Sequence, residues 1–106
     1  LNPPYSGELV EAFTARVVAE VEAGRVSAAV VLVNNATDTA WFQALLSRYP
    51  VCFPAGRLRF WKADGGELQA RQGQAVFGLG VSLSEFAAVF GRFGTVLFPV
   101  PKDHVH

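Results

Sequence analysis

Methionine is absent from this 106-residue chain, cysteine occurs once, histidine twice, and charged residues make up only 17% of it. Each shortage excludes something. A single cysteine, Cys52, cannot close an internal disulfide, and its place in an apolar run marks a buried, inert thiol rather than a nucleophile. His104 and His106 have no partners at ligand spacing, so the tail 99–106 reads as a loose end and not as a metal site. No run reaches the roughly 18 apolar residues of a membrane span, and no basic segment leads into an apolar core as in a secretory signal. An intracellular setting is the expectation. Net charge is zero, so the chain as a whole lacks the basic footprint of a nucleic-acid binder. Locally, residues 48–71 carry Arg48, Arg57, Arg59, Lys62 and Arg71 against Asp64 and Glu67. That excess can touch phosphates, and it is equally the pattern of a solvated hairpin.

What is present is apolar: 51% hydrophobic residues, with nine phenylalanines and two tryptophans, high for a domain whose surface is a large share of the whole. The chain also opens on its most informative motif with no strand before it, which suggests a piece of a longer polypeptide.

The pattern alternates helix and strand. Leu9, Val10, Phe13, Val17, Val18 and Val21 recur at helical spacing, with Ser6 as N-cap and Gly24 as stop. Residues 27–33 form an unbroken apolar run, which predicts a parallel strand buried on both faces. The polar 34–39 stretch closes it and caps a second helix carrying Trp41, Phe42, Leu45, Leu46 and Tyr49, ended by Pro50. Strands are expected at 51–53, 57–61, 75–77 and 95–98, with Asp64-Gly65-Gly66 at a hairpin tip. Ser82 and Glu85 form a capping box at the head of a third helix. The order predicts half of an open α/β sheet, and such sheets bind ligands outside the carboxyl ends of their strands.

The first six residues are the least ordinary. In Asn2-Pro3-Pro4-Tyr5-Ser6, two prolines lock the backbone and remove two amide donors, making a stiff non-helical corner. A planar ligand with an amino group fits it: the Asn2 carboxamide oxygen and the Pro3 carbonyl accept the two N–H groups, and Tyr5 stacks on the ring. Acceptors aimed at those hydrogens favour a pyramidal, nucleophilic nitrogen in the transition state. The plain alternative is a proline-stiffened turn.

Asn2-Pro3-Pro4-Tyr5-Ser6 resembles the catalytic motif of amino-group methyltransferases that use S-adenosylmethionine. Thr37-Asp38-Thr39-Ala40-Trp41-Phe42, Gly56-Arg57-Leu58-Arg59-Phe60 and Gly73-Gln74-Ala75-Val76-Phe77 follow in an order and spacing similar to the phage-type DNA N6-adenine methyltransferases, the Dam-like family of prophages. The resemblance implies a fold: the C-terminal half of a Rossmann-like class I methyltransferase domain over residues 1–98, with a mixed, mostly parallel sheet flanked by helices. It implies a reaction, N6 methylation of adenine in DNA, in a bacterial cytoplasm under phage or prophage control. It implies roles too. Asn2, Pro3, Pro4 and Tyr5 are the catalytic corner for a flipped adenine, Ser6 follows it, and Thr37, Asp38, Thr39 and Trp41 border the pocket. Arg57 and Arg59 meet DNA phosphates. S-adenosylmethionine is the implied cofactor, although the half of the fold that mainly holds it has no counterpart in this sequence; Gly78-Leu79-Gly80 follows a late strand and is no substitute.

Two other readings share the motif: a methyltransferase acting on protein glutamine or RNA, and a decayed methyltransferase-like module without activity. If the strand expected before Asn2 is missing, the 27–33 strand becomes a bare apolar edge, and self-association follows.

Overall fold

Val10, Val17, Val18 and Val21 form the inner stripe of α1 (Gly7–Glu22), while Leu9, expected with them, lies outside it at 56% exposure. The helix stops where expected. Gly24 turns into the left-handed region at φ +77°, and the Arg25 and Val26 amides both reach back to the Glu20 carbonyl at 3.1 Å. The Glu20 carboxylate accepts from Arg25 Nε at 2.6 Å and from Arg16 Nε at 2.7 Å. Those two guanidinium groups, Arg25 foremost, hold its pKa below the ordinary glutamate value. The structure, a computed structural model, describes residues 7–56, 59–61, 67–69 and 73–100.

The chain continues through β1 (Ala29–Asn34), α2 (Ala40–Leu46) and β2 (Val51–Pro54). A two-stranded ribbon follows, β3 (Arg59–Trp61) paired antiparallel with β4 (Glu67–Gln69) so that Phe60 stands opposite Leu68. Then come β5 (Gln74–Leu79), α3 (Leu83–Phe90) and β6 (Gly94–Leu97). These elements make a small α/β domain whose main sheet has the order β1-β5-β2-β6. The expected hairpin tip, Asp64-Gly65-Gly66, lies outside the described residues.

The mostly parallel sheet expected from the sequence needs correction, because all three ladders of the main sheet are antiparallel. β1 and β2 do run the same way, joined by the α2 crossover, but they are not neighbours. β5 lies between them and pairs antiparallel with both. β1 is also not buried on both faces: Val31 and Val33 are inside, Leu32 is half-buried and Val30 is 38% exposed. An apolar run without polar alternation reports burial, and strand direction is set by the connections. The ribbon between β2 and β5 turns the chain back, so β5 has to run against β2.

The register shows how the core is divided. Val31, Phe77, Val51 and Leu97 form one row across the four strands on the face covered by α1 and α2. Leu32, Val76, Cys52 and Val96 form the adjacent row on the face covered by α3. Phe42 meets Phe77 edge to face at 5.4 Å on the first side, and Phe86 packs with Phe90 at 4.7 Å on the second. β5 is buried at every residue because it is central and covered on both faces. Cys52 is fully buried there, its thiol directed at the Phe90 carbonyl at 3.4 Å, and loss of solvation pushes its pKa up. Among the described residues no helix is long and apolar enough to cross a membrane.

One glycine is fixed by close approach. A Cβ on Gly78 would stand 2.5 Å from a ring carbon of Phe86 and 2.6 Å from Val81. Gly78→Ala is expected to push Phe86 off its seat and cost about 1–3 kcal/mol, read as a lower urea midpoint with an unchanged denaturant slope. An unchanged midpoint would mean that Phe86 does not hold α3 to the sheet.

Candidate functional site at the carboxyl end of β1

α1 and α2 lie side by side on one face of the sheet. Glu22 at the last residue of α1 pairs with Arg48 just beyond α2, both about half exposed. The two helices therefore run in the same direction and begin at the same end, where β1 finishes. That rim collects the start of α1 at Gly7, the last residue of β1, the 34–39 loop and the first residue of β5.

The loop is organised by hydrogen bonds. Thr39 is the N-cap of α2: its Oγ1 accepts from the Phe42 amide at 3.4 Å and donates to the Ala36 carbonyl at 2.7 Å. The Thr39 amide also reaches Ala36 O at 3.0 Å, and Gln43 Nε2 donates to the Thr37 carbonyl at 2.6 Å. Thr37 and Asp38 are exposed. Thr39, expected to border the pocket, has its hydroxyl engaged on both sides in holding the helix start.

Trp41 goes elsewhere. It sits on the α1-facing side, its ring 5.6 Å from Phe42, and lines a cleft of about 450 Å³ between α1 and α2. Thr14, Val18, Leu45 and Tyr49 form other parts of the wall, and Glu11, Glu22 and Arg48 also line it. Some of its polar groups have internal partners: Thr14 Oγ1 donates to the Glu11 carbonyl at 3.1 Å, and Arg48 pairs with Glu22 and lies over the Tyr49 ring. No nucleophile stands next to a base there. The structure thus groups Thr37, Asp38 and Thr39 at the rim and directs Trp41 along the helix interface.

The pairing of two rim residues escaped the sequence reading. Asn34 closes β1 and Gln74 opens β5; Gln74 Nε2 donates to Asn34 Oδ1, and the Asn35 amide donates to Gly73 O at 2.9 Å. Gln74 is only 6% exposed and its Oε1 accepts no hydrogen bond. The available signal was a polar amide at the head of an otherwise apolar strand, where burial without a partner is unfavourable.

Asn2, Pro3, Pro4, Tyr5, Ser6 and Arg57 lie outside the described residues. Arg59 is placed only as the first residue of β3, opposite Gln69. The Gly78-Leu79-Gly80 segment offers no open backbone to a ligand. Gly78 is covered by Phe86, and Gly80, at φ +71°, has the Ser27 carbonyl oxygen 2.5 Å from the place of a Cβ. Both lie toward the far end of β5 from the rim. Among the described residues, no three metal-ligating side chains cluster.

No family model, curated protein or solved structure matches the chain.

Thr39→Ala is expected to cost about 1 kcal/mol, the usual loss for an N-cap, with Thr39→Asp restoring most of it. Thermal melting of the three proteins checks this. Equal melting of wild type and Thr39→Ala would remove the capping role and leave the hydroxyl open to another one.

Proposed function

We propose that this chain is the acceptor-binding, catalytic half of a phage-type DNA adenine-N6 methyltransferase that uses S-adenosylmethionine. The observation that carries the reading is positional. α1 begins at Gly7, directly after Asn2-Pro3-Pro4-Tyr5-Ser6, at the same rim that holds Asn34, the Thr37-Asp38-Thr39 loop and Gln74. The polar loop that follows β1 lies at one end of the sheet, where open α/β sheets bind ligands, and the helix that the motif precedes in sequence starts toward that end. The β1-α2-β2 crossover, with its two strands running the same way, supports reading the domain as half of a Rossmann-like sheet into which β5 is inserted antiparallel.

In this reading the target adenine leaves the DNA stack, because its amino nitrogen is out of reach inside the duplex. The Asn2 carboxamide oxygen and the Pro3 carbonyl accept its two amino hydrogens. Those bonds are stronger as the nitrogen becomes tetrahedral and its hydrogens more acidic, so they favour the transition state over the ground state. Pro4 holds the corner rigid and Tyr5 stacks on the base. Arg57 and Arg59 contribute phosphate contacts, which position the duplex without reading its sequence. S-adenosylmethionine supplies an electrophilic methyl group when bound. In this reading the chain contributes the acceptor side.

The test uses the longest form of the protein that contains this chain, with radiolabelled S-adenosylmethionine and unmethylated DNA, RNA and protein as acceptors. Label is expected in adenine of DNA, and Asn2→Ala is expected to lower the rate by at least ~100-fold, the scale of losing one preorganised acceptor, with circular dichroism unchanged. Label in protein or RNA alone, or an Asn2→Ala variant with near-normal rate, would overturn the assignment.

A further inference from the structure

The row that crosses the sheet through Val31, Phe77, Val51 and Leu97 is unevenly covered. Its first three members are 1%, 0% and 2% exposed, and Leu97 is 51% exposed. The reason is geometric: α1 and α2 cover β1, β5 and β2, and leave the outermost strand uncovered on that face. β6 is an edge strand whose only pairing among the described residues is with β2. Phe93, just before it, is 60% exposed, and Phe98 and Val100, just after it, are 46% and 64% exposed. Val89 on α3 adds another apolar side chain at 49%.

Exposed edges are ordinarily protected by lysine, by inward charges, by bulges or by proline within the strand. Residues 93–100 contain no charge at all, and their one proline, Pro99, falls after β6 has ended. Thr95 and Leu97 lie on the same face by strand alternation, so an antiparallel pairing about Val96 sets Leu97 of one copy opposite the partner's Thr95. That arrangement is self-complementary and brings no like charges together, as a two-fold interface requires. The five exposed apolar residues present roughly 500 Å² per copy, so two copies can bury at most roughly 1,000 Å² of apolar side chain, which sets a weak dimer at the lower bound for a specific interface.

We propose that β6 is a homodimerisation edge: two copies of this chain pair β6 to β6 about a two-fold axis, joining their sheets and covering Phe93, Leu97 and Phe98. This does not depend on the methyltransferase reading. The apolar edge expected from the sequence was the 27–33 strand, at the opposite end of the sheet, so the two positions can be told apart.

The experiment is light scattering of the full chain over a concentration series, together with hydrogen exchange at low and high concentration. The wild type is expected to approach twice the chain mass by ~100 μM, a range suited to a small interface. Leu97→Lys, a change at an exposed site that leaves the circular dichroism intact, is expected to weaken association at least ~10-fold by placing a charge on the edge. Amides of residues 94–98 are expected to gain protection as concentration rises. A wild type that stays monomeric, a Leu97→Lys variant that associates equally well, or protection gained at residues 29–34 in place of 94–98 would overturn the proposal.

Discussion

The edge-to-face contact of Phe42 with Phe77 holds the crossover helix to the central strand, and most of the structure depends on it. Phe77 lies in β5, which has β1 and β2 as neighbours and is covered by helices on both faces. Val31 and Val51 flank it in the sheet, and Phe42 caps it from α2. On the reverse side the same strand presents Gly78, whose missing side chain lets Phe86 dock α3. A bulky residue and an absent one, adjacent in sequence, thereby fix the two layers that sandwich the sheet.

This central position explains the polar chemistry at the rim. Because β5 is inserted between two strands that run the same way, its first residue meets the last residue of β1. Gln74 and Asn34 are brought together across 40 positions of sequence, in a place where a buried amide must be satisfied by a neighbour. The α2 crossover starts a few residues further on, held by Thr39. α1 starts at the same end, because Glu22 and Arg48 tie the other ends of α1 and α2. The polar rim is thus defined by the ends of elements, while the apolar body beneath it serves to hold them in place. The cleft beside Trp41 belongs to that body: its wall is largely apolar, Arg48 is paired with Glu22 and the Thr14 hydroxyl bonds to the Glu11 carbonyl.

The uncovered edge has the same origin. Two helices cover three strands on one face, and the fourth strand extends past them, so a row that is buried at Val31 and Phe77 ends in the open at Leu97. A residue with the pattern of a core position becomes a surface one through its place in the strand order.

Much was legible from local chemistry. Gly24, Thr39, Ser82 and Glu85 mark helix limits, since caps and stops act over four or five residues and need no distant partner, whereas α2 ends at Leu46, ahead of Tyr49 and of the Pro50 expected to stop it. The strands at 51–53, 75–77 and 95–98 showed as short apolar runs between turn residues, each close to its observed range. The candidate site was legible in part: the 34–39 loop was placed at the end of β1, whereas Trp41 could not be directed away from it by spacing alone. What sequence alone determined is the approximate place of the three helices and of most strands, β4 excepted, because propensity, capping and periodicity are short-range properties. Strand direction, the insertion of β5, the meeting of Gln74 with Asn34 and the exposure of Leu97 were decided only by the tertiary structure. They follow from which elements pack together over long separations, and an apolar residue carries the same local signature whether its neighbour is parallel, antiparallel or absent.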